Sequence, residues 1–368
     1  MVEWKELKEI FETRNGYTPS TTNESFWEGG NIPWFKMEDI RDKGGILNDS
    51  YLHITETAVK GKGLFKANSI LLATSATIGE HALITVDHLS NQRFTNLYPK
   101  AKYEHEINMR YVYYYMFKID EWCKQHVNQG GFASVDMCGL YRLAFPIPSL
   151  EEQTRIVGIL DTFTSAIDNL KEQIAQRRKQ YEYYRDQLLD LEGKPGVEMK
   201  TLGESCLIRT GSKPSKILDK GRYCYINAGT TESGYVDESN CDCDVVTTPS
   251  RGQGGIGFVG YQRNAFWLGP LCYQIRPNKK ENLKSKFLYY YLSSHTEEIL
   301  KYKSEGGTPA VNAVDLKKIS IPLPPLSEQQ RIVSILDSFE ASIQNLEAQL
   351  KQREKQYEYY RNKLLTFE

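Results

Sequence analysis

The last 48 residues of the chain repeat a segment that ends near its midpoint, and this internal repeat constrains the fold more than any other feature. When the copies that begin at Phe145 and Ile321 are aligned, 28 of the 48 positions are identical. A repeat of this kind predicts an architecture that is built twice. We therefore expect two globular regions, each followed by the same long helix.

Both copies place apolar residues at alternating steps of four and three, which is the a/d pattern of a coiled coil. Each copy has one arginine in this seam, which either fixes the register of the pair or extends to solvent. Because neither helix can bury its seam alone, we expect the two helices to pair, and internal symmetry favours an antiparallel pair. The predicted seam consists of Leu160, Phe163, Ile167, Leu170, Ile174, Arg177, Tyr181 and Tyr184, and of Leu336, Phe339, Ile343, Leu346, Leu350, Arg353, Tyr357 and Tyr360.

The remaining sequence forms two regions of mixed secondary structure. Strand-like runs such as 69–74 and 257–261 alternate with turns, and each region has one helix-like run, at 107–122 or 283–293. The predicted fold class is α+β, with two globular domains separated by two long helices that pair as an antiparallel coiled coil with pseudo-twofold symmetry. The predicted boundaries of first domain, first helix, second domain and second helix are 1–148, 149–195, 196–322 and 323–368.

The two domains match at their edges and differ in the middle. Residues 14–20 (RNGYTPS) correspond to residues 209–215 (RTGSKPS), and Val2–Leu7 corresponds to Val197–Leu202. Common edges with unlike interiors indicate one scaffold that performs the same task on two different ligands.

Charge and composition limit the partners and the cellular compartment that can be expected for this protein. The net charge is −1; residues 1–148 carry 16 basic and 18 acidic side chains, and residues 196–322 carry 17 and 13. Non-specific DNA affinity comes largely from the neutralisation of phosphates by Lys and Arg. The chain alone should therefore bind DNA with modest affinity, and a basic partner would supply the remaining affinity. The sequence has no membrane-length apolar run, no signal-peptide pattern at its N-terminus and seven scattered cysteines, which together predict a cytoplasmic protein with reduced thiols and no membrane partner.

Motifs of catalysis are weak or missing. Gly255 to Gly260 fits the dinucleotide fingerprint G-x-G-x-x-G, but the residues that follow are strand-like and end in a turn, which favours a hairpin. The sequence has no phosphate-binding Walker loop, no Asn/Asp-Pro-Pro-Tyr/Phe methyltransferase motif and no paired histidines on a helix, and Cys241 and Cys243 lack the spacing of a zinc knuckle. We expect no catalytic residue, cofactor site or metal site in this chain.

Two further patterns carry a resemblance to a known family. The motif Pro-x-Pro-x-Leu-x-Glu-Gln-x-Arg-Ile-Val occurs at 146–157 and again at 322–333, each time opening a heptad helix, and residues 32–40 read IPWFKMEDI. The chain resembles, over its whole length, the specificity subunit of Type I restriction–modification systems. The resemblance implies two target recognition domains, at 1–148 and 196–322, that each read one half of a split, asymmetric sequence in double-stranded DNA.

The resemblance also implies partners. The paired helices at 149–195 and 323–368 would set the spacing of the two half-sites and dock two methyltransferase (modification) subunits, which methylate adenine at N6. Restriction and translocase subunits would join through the complex. S-adenosylmethionine, and ATP with Mg²⁺, are then expected on the partner subunits, and this chain is expected to target the reaction without catalysing it.

Direct base readout uses Arg or Lys for guanine, Asn or Gln for adenine, and Ser or Thr for either, and phosphates attract Lys and Arg. The alternative for each candidate is a solvated loop or a turn cap. The candidates in the first domain are Lys60, Lys62, Thr74, Ser75, Thr77, Asn91, Gln92 and Arg93. Those in the second domain are Thr248, Ser250, Arg251 and Gln253 in the corresponding loop, with Arg263, Lys279 and Lys280 near it in sequence.

Two other functions are alternatives. A coiled-coil scaffold whose globular ends bind proteins would explain the heptads and the near-neutral charge. A nuclease without a recognisable signature is the second alternative, and it has little support in the residues. The duplicated domain and the motif at each helix junction favour the DNA reader. An adenine methyltransferase gene beside this one would separate the possibilities.

Overall fold

The computed structural model describes residues 2–128, 133–252, 254–304 and 307–367. The chain forms two compact units, residues 1–169 with 350–368, and residues 170–349. Two long helices contribute to both units, α5 (Leu150–Leu189) and α10 (Leu326–Leu364).

The other elements of the first unit belong to its globular domain. They are β1 (Glu3–Glu6), α1 (Leu7–Ile10), β2 (Phe11–Asn15), β3 (Ile32–Phe35), α2 (Met37–Lys43), β4 (Ile46–Leu47), β5 (Leu52–Ile54), β6 (Ser69–Ala73), β7 (His81–Ile84), β8 (Leu89–Ser90), β9 (Phe94–Pro99), α3 (Met109–Gln125), β10 (Val127–Asn128), β11 (Ser134–Val135), α4 (Met137–Tyr141) and β12 (Ala144–Ile147).

The globular domain of the second unit has the same mixed content. Its elements are β13 (Glu198–Thr201), α6 (Leu202–Ser205), β14 (Cys206–Thr210), β15 (Tyr223–Ile226), β16 (Tyr235–Val236), β17 (Val245–Pro249), β18 (Gly260–Gln262), β19 (Trp267–Leu268), β20 (Cys272–Pro277), α7 (Ser285–Ser294), α8 (Thr296–Leu300), α9 (Ala313–Leu316) and β21 (Ser320–Leu323).

The two domains share a strand order. The main sheet of the first runs β2-β9-β6-β7-β4, and that of the second runs β14-β20-β17-β18. A smaller sheet in each contains one parallel pair, β3 with β8 or β15 with β19. The interiors that diverge in sequence therefore keep one topology, because strand pairing depends on backbone bonds and on an apolar face, not on particular side chains.

The central strand and the main helix of each domain form its core. Residues 69–73 (SILLA) are all buried, as expected for a continuous apolar run in a central strand. The helix α3 begins at the predicted run, and Asn108 caps it by accepting a hydrogen bond from the Arg110 N–H (2.9 Å). Tyr111 and Tyr114 of this helix are fully buried against the sheet.

The Glu-Gln-x-Arg-Ile motif joins each long helix to its domain through a buried glutamine. In the first unit Gln153 accepts a hydrogen bond from the Asn108 N–H (2.8 Å) and donates to the carbonyls of Glu106 and Pro148 (2.9 and 2.8 Å). Gln329 in the second unit makes the corresponding three bonds, all at 2.9 Å. The repeated motif is therefore a structural joint.

A tyrosine reinforces this joint in each unit. Tyr114 donates to Asp161 of α5, and Tyr290 donates to Asp337 of α10, both at 2.5 Å. Burial, together with the hydrogen bond to the carboxylate, raises the pKa of both phenols. Both tyrosine hydroxyls therefore stay protonated over the physiological pH range.

The two long helices are antiparallel within each unit, as predicted. In the first unit Phe163 of α5 stacks on Tyr360 of α10, with ring centroids 5.3 Å apart. In the second unit Tyr184 stacks on Phe339, with centroids 5.5 Å apart. In both units an early turn of one helix meets a late turn of the other. The predicted α+β fold with an antiparallel helix pair is thus confirmed.

Burial along the predicted seam is graded. Leu160, Ile167, Ile174 and Leu336 are buried; Phe163, Leu170, Arg177, Tyr181, Phe339, Ile343, Leu346, Leu350 and Tyr357 are partly buried; Tyr184, Arg353 and Tyr360 are exposed. Each seam arginine lies 5.8 Å from a phenylalanine ring of the facing helix and donates to the glutamine three residues on. Their aliphatic stems cover the seam while the charge reaches its surface.

Two predictions about excluded structures can be checked directly. Gly260 opposes Thr247 in the antiparallel β17–β18 pair, so the glycine-rich stretch forms a hairpin and the hairpin interpretation is confirmed. Within the described ranges, no helix combines the length and the apolar character that a membrane crossing requires.

Candidate nucleic-acid interface

The first domain gathers polar residues at one end of its main sheet, which we call edge 1. Edge 1 comprises 16–18 after β2, residue 36 after β3, 74–77 after β6, and 91–93 before β9. The Thr74 N–H donates to the Arg93 carbonyl (3.0 Å), and the Asn91 N–H donates to the Phe35 carbonyl (3.1 Å). Edge 1 therefore unites the two loops that the sequence predicted separately.

The threonines of edge 1 face inward. Thr74 is 9% exposed, and its hydroxyl lies 3.0 Å from the hydroxyl of buried Thr95. The Thr77 hydroxyl is also buried, and among the described residues it has no hydrogen-bond partner. Ser75, between them, is partly exposed and forms an isolated bridge with Ser134. The hydroxyls of Thr74 and Thr77 are therefore buried within the loop, and Ser75 is the partly exposed member of the predicted cluster.

The turn at 91–93 presents the outward-facing groups of edge 1. The Asn91 side-chain oxygen accepts a hydrogen bond from the Arg93 N–H (3.0 Å), which holds the turn. The Thr18 hydroxyl donates to the Gln92 side-chain oxygen (2.6 Å), which ties the segment after β2 to the same turn. The Arg93 guanidinium is exposed, and no hydrogen-bond or ion-pair partner for it occurs in the described part of the chain.

The second domain has a corresponding edge 2. Edge 2 comprises 211–213 after β14, residue 227 after β15, 250–252 after β17, and 269–271 before β20. The Ser250 N–H donates to the Leu271 carbonyl (2.9 Å), and the Gly269 N–H donates to the Ile226 carbonyl (2.8 Å). These are the same two backbone bonds as in edge 1, so the edges match position by position.

The side chains at matching positions differ between the edges. Thr248 is buried and donates to the Phe258 carbonyl (2.8 Å), and Ser250 is buried as Thr74 is. Arg251 is exposed and, within the described ranges, has no hydrogen-bond or ion-pair partner for its side chain. It occupies the position of Ser75, whereas Leu271 occupies the position of Arg93. The predicted contact Gln253 lies outside the described residues.

Three predicted contacts of the second domain lie elsewhere. Arg263, at the other end of β18, lies 3.7 Å from Glu340 of α10. Lys279 and Lys280 follow the far end of β20, where Lys280 lies 3.6 Å from Asp244. The five residues of β17 place these groups roughly 16 Å along the strand from edge 2. The structure therefore does not bring them together with Arg251, despite their closeness in sequence.

The predicted phosphate-binding lysines of the first domain also lie away from the turn at 91–93. Lys60 and Lys62 are exposed in the loop that precedes β6. Lys66 lies 3.6 Å from Glu104, with its ammonium group 4.6 Å from the centre of the Tyr98 ring. The Lys60 N–H donates to the Tyr17 hydroxyl (2.8 Å), so Lys60 adjoins edge 1 at the segment after β2, whereas the loop at 74–77 lies at the opposite end of β6.

Sequence reasoning missed three polar residues of the edges. Lys36 follows β3 directly beside the turn at 91–93, and Thr18 and Lys213 occupy matching positions after β2 and β14. Thr18 and Lys213 were detectable, because they differ inside two segments that otherwise align. Lys36 had no such signal, since only strand pairing brings it to edge 1.

No candidate for a metal centre accompanies the edges. In the residues that the structure describes, no group of three or more His, Cys, Asp or Glu side chains is arranged to hold a metal ion. The edges contain exposed amides, hydroxyls and cations on a fixed backbone. Such an arrangement suits recognition of a polar, anionic ligand by hydrogen bonds.

Comparisons with known proteins agree with this arrangement. A family model described as the Type I restriction modification DNA specificity domain matches residues 1–177 and 195–354. The Type I restriction enzyme EcoprrI specificity subunit of Escherichia coli is 37% identical over 360 residues, which cover 92% of this chain and 88% of that protein.

Solved structures are similar over the full length. The crystal structure of the Type I restriction–modification system S subunit from M. genitalium aligns with a TM-score of 0.65 at 18% identity and covers 100% of this chain and 97% of its own. A chain from a structure that addresses complex assembly and conformational transition of the type I R-M system aligns with a TM-score of 0.63 at 19% identity, covering 99% and 96%. At these identities the likeness establishes the fold.

Proposed function

The chain belongs to the family of Type I restriction–modification DNA specificity subunits, and we propose that edge 1 and edge 2 each read one half of a split, asymmetric DNA sequence. Specificity subunits direct catalysis and do not perform it. The observation that carries the proposal is the pair of edges, which have one backbone framework and different exposed side chains. A framework built twice with different contacts suits two half-sites of different sequence.

The proposed contact set follows from exposure. Ser75, Asn91, Gln92, Arg93 and Arg251, together with Lys36 and Lys213, present side chains at the edges and are proposed to face DNA. Gln253 remains in this set by its position in the sequence. Thr74, Thr77, Thr248 and Ser250 are proposed to position these groups, because buried hydroxyls cannot reach a base. Lys60, Lys62, Arg263, Lys279 and Lys280 are proposed as phosphate contacts outside the edges.

We propose that residues 1–148 and 196–322 are the two target recognition domains, and that 149–195 and 323–368 are the helical regions between and after them. A 40-residue helix such as α5 is about 60 Å long. A helix of that length is stiff enough to hold two half-sites in a fixed helical phase, which repeats every 34–36 Å along DNA.

The helices are also proposed to dock two adenine-N6 methyltransferase subunits. The run KQYEYYR occurs at both 179–185 and 355–361, and within it Tyr183 and Tyr359 are 58% and 60% exposed. Exposed side chains contribute little to a core, so their identity in both copies is best explained by one kind of partner bound twice. Tyrosine and arginine are also favoured at protein interfaces.

The remaining assignments follow from such an assembly. S-adenosylmethionine would be bound by the methyltransferase subunits, and ATP with Mg²⁺ by restriction and translocase subunits that join through them. The complex is proposed to act in the cytoplasm, in the same compartment as the DNA that it reads. None of these cofactors is proposed to bind this chain.

Co-expression with the neighbouring adenine methyltransferase, followed by genome-wide mapping of N6-methyladenine, tests the function. We expect a split, asymmetric motif that is methylated only when this chain is present. Stable co-purification without new methylation would favour a protein-binding scaffold. In the same system, Tyr183→Ala with Tyr359→Ala should abolish co-purification, whereas the exposed pair Asp186→Ala with Asn362→Ala should not.

A further inference from the structure

Almost every arginine of the second unit is already engaged. Arg178, Arg185, Arg263, Arg276 and Arg331 lie within 4 Å of a carboxylate. Arg177 donates to Gln180 and Arg222 lies over Tyr223, and Arg209 donates to the Gln274 side-chain oxygen once that amide is turned to satisfy its neighbours. Arg251 is the exception among the described residues. An exposed guanidinium that the fold leaves without a partner is available to a ligand.

The first unit has two such arginines in its described part, Arg93 and Arg142. Arg142 follows α4 (Met137–Tyr141), away from the strand ends that form edge 1. Arg93 belongs to edge 1 itself, where its backbone carbonyl accepts the Thr74 N–H. Each edge therefore carries one unpartnered arginine, and each arginine stands on backbone that two strands hold in place.

The two arginines come from neighbouring positions of the shared framework. Arg93 lies in the turn before β9, and Arg251 lies in the loop after β17; the matching positions in the other domain hold Leu271 and Ser75. Adjacent strands of a sheet lie about 4.8 Å apart. The guanidinium group is thus displaced by one strand when edge 1 is compared with edge 2.

We propose that Arg93 and Arg251 each read a guanine, one in each half of the DNA site. Guanine presents two acceptors, O6 and N7, on its major-groove edge, and the planar fork of a guanidinium donates to both. In edge 1 the side-chain oxygen of Asn91 already accepts a bond from the protein, which leaves its amide as a donor. A surface rich in donors matches guanine and does not match the donor–acceptor pair of adenine. The inference rests on the proposed function.

The test uses the full chain co-expressed with its methyltransferase, and N6-methyladenine mapping of Arg93→Ala and Arg251→Ala. For each variant we expect one guanine of one half-site to become degenerate, with discrimination at that position reduced roughly 10- to 100-fold. The other half-site should keep its full specificity. The matched controls are Arg142→Ala in the first unit and Arg222→Ala, which lies over Tyr223, in the second; both should leave the motif unchanged.

Lysine variants separate base reading from phosphate binding. Arg93→Lys and Arg251→Lys keep the charge and lose the planar fork of the guanidinium, so we expect discrimination at the same guanine to be restored only in part. Uniformly weaker methylation with an unchanged motif, rescued by lysine, would assign these residues to phosphates and overturn the inference, as would a half-site without guanine. If the unaltered chain produces no new methylation, the proposed function itself fails. If that motif appears and neither alanine variant alters it, only the inference fails.

Discussion

The two globular domains of this chain have the same main-sheet order and the same backbone bonds at the strand ends, yet their exposed edges differ in chemistry. Edge 1 presents Asn91, Gln92 and Arg93 in the turn before its last central strand, whereas edge 2 has Gly269, Pro270 and Leu271 there and places Arg251 in the adjacent loop. The comparison shows that a duplicated scaffold presents two different surfaces at the same place. The backbone hydrogen bonds at the strand ends are the same in both edges, whereas the exposed side chains differ.

One of the differences between the two cores, His88 in the first domain and Phe266 at the matching position of the second, is expected to affect the free energy of unfolding. His88 pairs with Phe65 in an isolated bridge, as Phe266 pairs with Cys241 in the second domain. His88 is buried between aromatic rings, and its Nδ1 lies 2.8 Å from the Val86 carbonyl. The first domain thus has a titratable group where the second has a hydrocarbon ring.

The largest expected effect comes from replacing one domain. Exchanging residues 20–130 for those of a relative should change one half of the methylated motif completely and leave the other half intact, because each edge is built within its own unit. Methylome mapping would measure this. Altered recognition of both halves would refute independent reading by two equivalent domains.

Breaking the joint should weaken both units equally. Gln153→Leu or Gln329→Leu leaves three backbone groups, one buried and two partly buried, without a partner, so we expect a loss of about 3–5 kcal/mol in the domain concerned. Hydrogen exchange, resolved by domain, would measure it. Gln330→Leu changes the exposed neighbouring glutamine and should cost less than about 0.5 kcal/mol. Unequal losses from the two joint variants would contradict their equivalence.

Acid should destabilise the first domain selectively. Burial lowers the pKa of His88 from 6.5 to about 4. Between these values the unfolded chain binds a proton that the native domain does not, so stability falls as the pH drops, by up to about 3 kcal/mol. His88→Phe, which introduces the residue of the second domain, should remove this loss. Urea unfolding followed by hydrogen exchange at pH 7 and pH 5 would show it, and a variant that keeps the full pH dependence would contradict it.

The smallest effect should come from the ion pairs at the start of the long helices. Arg155 with Glu152 and Arg331 with Glu328 form matching pairs at 2.6 and 2.7 Å, and all four side chains are substantially exposed. Arg155→Ala and Arg331→Ala should each cost about 0.3–0.5 kcal/mol by thermal unfolding. Strong loss of methylation without loss of stability would mean that these arginines contact a partner.

Much of this architecture was predictable from the sequence, because periodicity and repetition report burial directly. The steps of four and three predicted the seam of α5 and α10, and the repeat predicted that the architecture is built twice. The sequence indicates less clearly which polar residues are exposed. Thr74 and Ser250 resemble base-reading residues in the sequence but are buried, because each directly follows a fully buried strand and continues its backbone hydrogen bonding.

The sequence by itself determined that the chain is built twice, that its two helices pair, and that it belongs among the specificity subunits. Only the tertiary structure decided which polar residues share an edge. It placed Lys36 beside the turn of Arg93 and separated Arg263, Lys279 and Lys280 from Arg251 by the length of a strand. The physical reason is that helix periodicity arises from neighbours three and four residues apart, whereas an edge is assembled by pairing of strands that lie far apart in the sequence.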